Sequence, residues 1–421
     1  MLEIKAFRGF RFNPTVTGSL DKVITPPYDV ITPDERAALA AGSPWNMVHV
    51  ILPKPGPDGG SPYDHAAAVL QDWMAKGGLC RDDEPSFYLL RQQFTDLEGQ
   101  SHTRRAFFAA TRLPESNERH ILGHERTFDK PVADRYALTT ATRMSLGAVF
   151  VLYSDPERRL AAFLAQMEER PADLVACTFD GVQQELWRVP ADPEVCAFFP
   201  GKTLYIADGH HRFRTACTYR DEMRAKLGNP TEPQPWDFAL MGFVAFEDEG
   251  LRVYAAHRVV KPYEGFDFDT FMAALGRWFD VTPTEGDLHA LVKADPEDGV
   301  FGLAVHGRGQ YMLRFRGKRE ELLGGDRGPA WRALDVALLH RGIFERIMGM
   351  PEGAEYGYEK SLSTALEAVD SGAALMAFVL KPTRSEQICA CAEASEPMPQ
   401  KSTYFFPKLP TGGVLYPLYE P

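Results

Sequence analysis

Short apolar runs alternate with amphipathic segments along the chain, and stretches rich in glycine and proline separate them. The apolar runs Met47 to Ile51, Ala148 to Tyr153 and Thr203 to Ala207 predict buried strands. Apolar residues at helical spacing predict a helix over Tyr63 to Lys76, ended by two glycines, and another directly after Asp208-Gly209. Because strand and helix signals alternate throughout, the pattern predicts an α/β or mixed α+β fold.

One helix start is marked with particular clarity near the N-terminus. Thr32 stands at the N-cap position, Pro33 at the first helical position, and Glu35 three residues after the cap. This spacing is a capping box, in which the threonine and glutamate side chains satisfy each other's backbone N–H groups.

Charge and cysteine content narrow the class of protein. The 421 residues carry 46 Lys and Arg against 58 Asp and Glu, a net charge of −12, which argues against nucleic acid and anionic membranes as partners. The six cysteines lack paired CxxC spacing, which fits a reducing compartment. The start MLEIKAFRGF lacks an apolar targeting segment, and no run is long enough to span a bilayer. These features predict a cytoplasmic protein with no membrane partner.

The strongest chemical signal is the segment Asp208-Gly209-His210-His211-Arg212. A predicted strand ends at Asp208, the glycine permits a tight turn, and a helix begins at once. Backbone N–H groups and the positive end of the helix dipole then lie beside two imidazoles and a guanidinium, which suits a phosphate. Asp208 could hold a cation or accept a proton. The alternative is an N-capping aspartate before a surface helix whose histidines face solvent.

A second polar cluster is Gly123-His124-Glu125-Arg126-Thr127, followed by Lys130 and Arg135. Glu125 is a candidate general base, since partial burial can tune a carboxylate toward neutrality. The residue four after His124 is Phe128, so the segment is not the HExxH motif of zinc proteases. The alternative is a solvated loop with internal salt bridges.

A third cluster, Gln400-Lys401-Ser402-Thr403, precedes Lys408 and Thr411-Gly412-Gly413. Lysine with neighbouring hydroxyls and glycines suggests phosphate binding, although the Walker A spacing is absent. We expect this segment to fold back onto the turn at Asp208. Weaker candidates are Tyr28 and Asp29, whose alternative is a simple turn, and His257, whose alternative is a structural histidine.

Together these segments resemble DUF1015, a bacterial and archaeal family of unknown function, over nearly the whole chain. The resemblance rests on Pro26-Pro27-Tyr28-Asp29-Val30, on the three clusters above, on His257-Arg258, and on the tail through Thr411-Gly412. We expect an N-terminal α/β region over 1–118, a catalytic region over 119–262, and a C-terminal α/β region over 263–421 whose tail returns to the site.

The box Asp208 to Arg212 is similar to that of free-serine kinases with a ParB/sulfiredoxin-like fold. This resemblance implies such a core, elaborated at both ends, with an insertion around Pro156 to Pro200. It implies Glu125 as the base, in one cleft with Asp208, and Mg²⁺ near Asp208.

The predicted function is therefore a small-molecule kinase that phosphorylates the hydroxyl of free L-serine, with pyrophosphate or else ATP or ADP as donor. The alternative is a ParB-like nucleotide- or nucleic-acid-binding regulatory protein without catalysis. The donor, the acceptor and the oligomeric state stay open.

The residues assigned by this reasoning fall into two groups. The predicted catalytic residues are Glu125, Asp208, His210 and His211, with Asp208 also the predicted metal ligand. The predicted substrate- and phosphate-binding residues are Tyr28, Asp29, His124, Arg126, Thr127, Lys130, Arg135, Gly209, Arg212, His257, Lys401, Ser402 and Thr403.

Overall fold

The computed structural model describes residues 1–57, 59–350 and 355–420, and confirms a mixed α/β fold. By packing, the chain divides into two compact units. Unit 1 comprises Met1–Gly123, Thr127–Leu251 and the tail from Pro407 onward, and unit 2 comprises His124–Arg126 and Arg252–Phe406. The division into three regions expected from the sequence stays a prediction.

Unit 1 is built on a nine-stranded mixed sheet. Its strands run in the spatial order Ile121–Leu122, Leu204–Asp208, Val149–Tyr153, Phe238–Ala245, Ser101–Arg112, Ser86–Thr95, Gln183–Pro190 and Leu174–Cys177, with Ile4–Lys5 paired to Ser101–Arg112. Two pairings are parallel, those of Leu204–Asp208 with Ile121–Leu122 and of Phe238–Ala245 with Val149–Tyr153. Short two-stranded sheets pair Phe10–Phe12 with Leu79–Arg81, and Met144–Ser145 with Tyr416–Pro417.

The helices of unit 1 include the two that carry the candidate site, Asp129–Thr142 and His210–Lys226, which pack against each other. The remaining α-helices are Pro14–Thr17, Pro33–Gly42, Val48–Ile51, Pro62–Ala75, Arg159–Met167 and Pro193–Ala197, and the 3₁₀ helices are Leu20–Lys22, Tyr28–Val30 and Pro235–Asp237.

One cluster of core residues in unit 1 lies on one face of the large sheet. Leu89, Phe107, Trp187 and Phe243 are fully buried there, and the rings of Phe107 and Phe243 stack at 4.7 Å. Because large rings from neighbouring strands bury much apolar area, this face anchors the strands that end at the candidate site.

Unit 2 is built on a six-stranded sheet in which every described pairing is antiparallel. Its order is Phe279–Thr284, Gly309–Phe315, Val300–Val305, Met376–Val379, His257–Val260 and Tyr356–Glu359, and Arg252–Tyr254 pairs separately with Tyr404–Phe406. The helices are Phe268–Leu275, Leu288–Ala294, Arg319–Leu323, Pro329–Arg332, Asp335–Ala337, Leu362–Asp370, Ser385–Glu393 and the π-helix Leu338–Ile347.

Several local predictions are confirmed and one is wrong. The capping box forms, with Thr32 and Glu35 bonded to each other's backbone N–H groups. The strand predicted over Met47 to Ile51 is instead the short helix Val48–Ile51. The Asn46 side chain accepts from the Val48 N–H at 2.9 Å, and this local bond favours a helical turn over the β propensity of the valines.

The remaining sequence expectations concern cysteines and membranes. All six cysteines are described, and none forms a disulfide. In the described ranges, every helix is too short or too polar to cross a membrane.

Candidate functional site

The segment Asp208 to Arg212, here called the Asp208 turn, joins a buried strand to a long helix in unit 1. The strand Leu204–Asp208 shifts its register against Val149–Tyr153 between Ile206 and Asp208, which is a bulge. Bulges re-aim the side chain that follows them. Gly209 then adopts φ 89° at the N-cap position, a left-handed conformation that favours glycine. The helix thus starts on a residue that has no side chain to cap it.

Asp208 lies between two cations of unit 1. Its Oδ1 accepts from Lys408 Nζ and its Oδ2 accepts from Arg212 Nη2, and the side chains of all three residues are largely buried. Burial alone would raise the pKa of Asp208, but the charges of Lys408 and Arg212 lower it to about 2. Asp208 is therefore ionised at neutral pH, and two positive charges share its single negative charge.

The two histidines of the turn are placed differently. Burial lowers the pKa of His210 to about 3, so its imidazole is neutral at neutral pH. His211 is half-buried, stacks on Phe128, and accepts from the Phe128 N–H through Nε2 at 3.1 Å. His210 therefore adds hydrogen-bonding capacity to the turn but no positive charge.

Lys408 is held by a buried polar pair on the large sheet. Arg104, on the strand Ser101–Arg112, donates to the Pro407 carbonyl and to Gln92 Oε1, while Gln92 donates to the Lys408 carbonyl at 3.0 Å. Arg104 is fully buried over the ring of Phe150, and burial lowers its pKa to about 9. Because the carbonyls of Pro407 and Lys408 are both held by hydrogen bonds, the backbone of Lys408 is fixed at a position from which its side chain contacts Asp208.

Lys408 and Arg104 were not among the site residues predicted from the sequence. Lys408 follows the third polar cluster closely, and this proximity to a predicted phosphate-binding segment was the available signal. In the sequence, Arg104 is only a charged residue within a predicted strand. Its partners are the side-chain amide of Gln92 on the neighbouring strand and the carbonyl of Pro407, which is far away in the chain. No local pattern therefore indicates its role.

Five other predicted residues belong to unit 1. The guanidinium of Arg135 lies 4.1 Å from the Tyr28 ring centroid and donates to the Ile51 carbonyl at 2.7 Å. Thr127 accepts from Arg214 of the helix His210–Lys226 at 3.1 Å. Asp29 and Lys130 are exposed. The structure therefore places Tyr28, Thr127 and Arg135 in contacts, and Asp29 and Lys130 on the surface.

The second and third predicted clusters meet within unit 2. His124 Nε2 lies 3.2 Å from Thr403 Oγ1, the His124 carbonyl accepts from the Met398 N–H at 2.8 Å, and Glu125 forms a β-bridge with Met398. Arg126 is exposed and Glu125 half-buried. Glu125 and Asp208 belong to different units, so their sharing of one cleft stays a prediction, as does the return of residues 400–403 to the turn.

In unit 2 a second buried arginine holds the tail segment. Arg258 donates to the carbonyl of Lys401 at 3.1 Å and to His340 Nε2 at 2.8 Å. Lys401 itself has φ 53° and an exposed side chain, and Ser402 is buried with its carbonyl bonded to Thr383. His257 is buried, accepts from the Leu380 N–H at 3.3 Å, and has a pKa that burial lowers to about 4. These contacts place His257 in the packing of the sheet.

The predicted Mg²⁺ ion can be tested against the donor set. Both oxygens of Asp208 accept from cations. In the described residues, no three His, Cys, Asp or Glu side chains are grouped so as to hold a metal. The side chains of the turn, as arranged, do not fit a resident Mg²⁺ ion. Magnesium stays a prediction and enters no step below.

The chain belongs to a family of proteins of unknown function, DUF1015, whose family model matches residues 4–337. This confirms the resemblance drawn from the sequence motifs. No curated protein matches the chain.

Among solved structures, a free serine kinase in complex with AMP is similar, with 13% identity, coverage of 68% of this chain and 83% of that chain, and a TM-score of 0.33. A conserved hypothetical protein from Pyrococcus furiosus shows 15% identity, coverage of 69% and 90%, and a TM-score of 0.35. SbnI from Staphylococcus aureus, truncated at its C-terminus, shows 9% identity, coverage of 72% and 84%, and a TM-score of 0.36.

Proposed function

We propose that this protein is a small-molecule kinase that transfers a phosphoryl group to the hydroxyl of free L-serine, with pyrophosphate, or else ATP or ADP, as donor. The observation that carries the proposal is the Asp208 turn, where one ionised carboxylate lies between Lys408 and Arg212 at the start of a 17-residue helix. The acceptor and the base come from the sequence resemblance.

The charge at the turn suits a phosphoryl donor. Asp208 carries one negative charge, Lys408 and Arg212 each carry a positive one, and His210 is neutral. One positive charge therefore remains in excess among these four side chains. The positive end of the helix dipole adds about 0.3–1 kcal/mol for an anion near the first turn. Such donors stabilise the charge that develops on the oxygens of a transferring phosphoryl group.

The pKa of Asp208 decides its role in the proposed reaction. A carboxylate with a pKa of about 2 is a weak base at neutral pH, so Asp208 is not suited to take the proton of a serine hydroxyl. Its role in the proposal is to position Lys408 and Arg212.

Glu125 remains the proposed base. In the transfer, the hydroxyl oxygen of serine forms a bond to the phosphorus while the bond from phosphorus to the leaving oxygen breaks. The hydroxyl proton passes to the base, and with pyrophosphate as donor the leaving group is phosphate.

The direct test incubates the full-length protein with Mg²⁺, L-serine and either pyrophosphate, ADP or ATP, and detects O-phosphoserine by mass spectrometry. We expect O-phosphoserine with at least one donor, and little or none from threonine or homoserine. Glu125→Gln should abolish turnover while binding of the donor persists, because only the base is lost.

A control variant tests whether the loss of turnover is specific to Lys408. Lys226→Met removes an exposed lysine from the helix His210–Lys226 and should leave turnover unchanged. Lys408→Met should abolish turnover. Absence of O-phosphoserine with every donor would contradict the proposal. Tight binding of DNA that weakens steeply with salt would instead favour the non-catalytic regulator.

A further inference from the structure

Unit 1 contains a cavity between the two site helices. One side is formed by Arg135, Leu138 and Thr139 of the helix Asp129–Thr142, and another by Arg212, Thr215 and Tyr219 of the helix His210–Lys226. These positions recur at intervals of three and four residues, so each helix turns one face to the cavity. The cavity volume is about 70 Å³, several times the roughly 10–15 Å³ that one water molecule needs.

Three polar atoms of residues lining this cavity are buried without a protein partner. Arg212 Nε, Thr215 Oγ1 and Trp236 Nε1 have no hydrogen-bond partner in the described parts of the chain. Thr215 is 3% exposed and Trp236 is 8% exposed. Buried polar groups are nearly always satisfied in native proteins, because leaving one unpaired is costly. All three groups can donate a hydrogen, and two of them can only donate, so a matching ligand must present acceptor atoms.

The charges at the Arg212 end of the cavity favour an anion. Arg212 and Lys408 are both paired with the single carboxylate of Asp208, so these three side chains carry two positive charges and one negative charge. The other arginine of the cavity, Arg135, pairs with Asp134 at 2.7 Å through Nε and is already balanced. An anionic group would therefore be attracted to the end of the cavity that carries Arg212.

The walls of the cavity are mostly apolar. They include Leu138, Met144, Tyr219, Phe238 and Leu418. Inorganic phosphate, pyrophosphate and free serine present almost no apolar surface, so none of them matches these walls. A ligand with an apolar body would gain from burial against them.

We infer that this cavity binds a small organic carboxylate with an apolar body, whose carboxylate lies toward Arg212. The inference goes beyond the proposed kinase function, since it rests on the cavity and holds whether or not the turn transfers phosphate. Because Arg212 belongs to both, the ligand and an anion at the Asp208 turn should influence each other's affinity reciprocally.

Calorimetric titration of the full-length protein with phenylacetate tests the inference. Two related compounds serve as comparisons: acetate, which lacks the apolar body, and phenylacetamide, which is nearly isosteric but neutral. We expect saturable binding of phenylacetate, with acetate and phenylacetamide at least about tenfold weaker, since each loses one of the two matched features.

Two conservative variants test the buried donors. Thr215→Val removes the hydroxyl at nearly constant shape, and Trp236→Phe removes the indole N–H. Each should weaken phenylacetate binding by about ten- to a hundredfold, because the only acceptor atoms of phenylacetate belong to its charged carboxylate. Thr218→Val is the matched control, because Thr218 lies on the same helix but bonds to the Arg214 carbonyl instead of lining the cavity.

Four outcomes would overturn the inference. The first two are that phenylacetate does not bind at millimolar concentration, and that acetate binds as tightly as phenylacetate. The third is that Thr215→Val and Thr218→Val lose the same affinity for phenylacetate. The fourth is a crystal structure with phenylacetate that shows only water beside Thr215 and Trp236. Binding of AMP that Thr215→Val weakens, with no binding of phenylacetate, would also overturn it and would assign the cavity to a nucleotide.

Discussion

Two fully buried arginines, one in each unit, hold successive parts of the C-terminal tail by backbone carbonyls. In unit 1, Arg104 donates to the carbonyl of Pro407, and in unit 2, Arg258 donates to the carbonyls of Gln400 and Lys401. Among the described residues, neither Arg104 nor Arg258 forms an ion pair with a carboxylate. Burial lowers the pKa of both guanidinium groups, to about 9 for Arg104 and about 10 for Arg258.

The two arginines differ in what the tail does next. After Pro407 the chain presents Lys408, whose ammonium reaches Asp208 at the end of a buried strand. After Lys401 the chain presents Ser402 and Thr403, which bond to polar partners inside unit 2, including His124. In both units a buried guanidinium donates to carbonyls of the tail. In unit 1 this interaction fixes Lys408, a charged residue of the candidate site, whereas in unit 2 it fixes residues that serve packing.

The largest effect should follow from removing the cation that the unit 1 tail delivers. Lys408→Met leaves buried Asp208 with Arg212 alone, and we expect about 3 kcal/mol less free energy of unfolding, as for a broken buried ion pair. Chemical denaturation measures this. Lys226→Met removes one partner of an exposed ion pair and should cost far less free energy of unfolding. Equal losses in the two variants would remove Lys408 from the account.

The same pair predicts a pH dependence. The pKa of Asp208 is lowered from 3.8 to about 2, so its stabilising contribution is present above pH 3.8 and is lost as the pH falls toward 2. In Lys408→Met the pKa of Asp208 should lie closer to 3.8. The free energy of unfolding should therefore fall less steeply with decreasing pH, between about pH 4 and pH 2, than in the native chain. An unchanged slope would show that Lys408 does not set this pKa.

A smaller effect should separate the two arginines. Arg104→Lys keeps the charge but cannot supply the guanidinium fork to Gln92 and Pro407, so we expect pyrophosphate affinity to fall about tenfold, as for one charged hydrogen bond. Arg258→Lys loosens the segment of Gln400 and Lys401 and should lower that affinity less. Calorimetry with both variants gives the ranking, and the reverse order would break the comparison.

The smallest effect should come from His210. Because the pKa of His210 is lowered to about 3, the ratio of the sulfate affinities at about pH 7.5 and about pH 5.5 should be the same, within about twofold, in His210→Gln and in the native chain. A rise in sulfate affinity on acidification that disappears in His210→Gln would show that this histidine does become charged.

The sequence predicted those parts of the molecule whose causes are local. The capping box at Thr32, the strand Val149–Tyr153 and the strand-to-helix turn at Asp208 each depend on residues within a few positions of one another. The short helix Val48–Ile51 was predicted as a strand because the deciding bond comes from Asn46, whose side chain competes with β propensity.

The charge partners of the site could not be predicted in the same way. Lys408 and Arg104 act on residues far away in the chain, and only the tertiary fold brings the tail beside Asp208 and Gln92. The sequence also does not show whether the imidazole of His210 is charged. Its burial, which no local pattern reveals, makes it neutral.

The most direct test of the central claim is a crystal structure of the full-length protein with pyrophosphate. The account predicts the anion at the Asp208 turn, within hydrogen-bond distance of Lys408 Nζ and of backbone N–H groups at the start of the helix His210–Lys226. Pyrophosphate bound elsewhere in the protein, with the contacts of Lys408 and Arg212 to Asp208 unchanged, would contradict it.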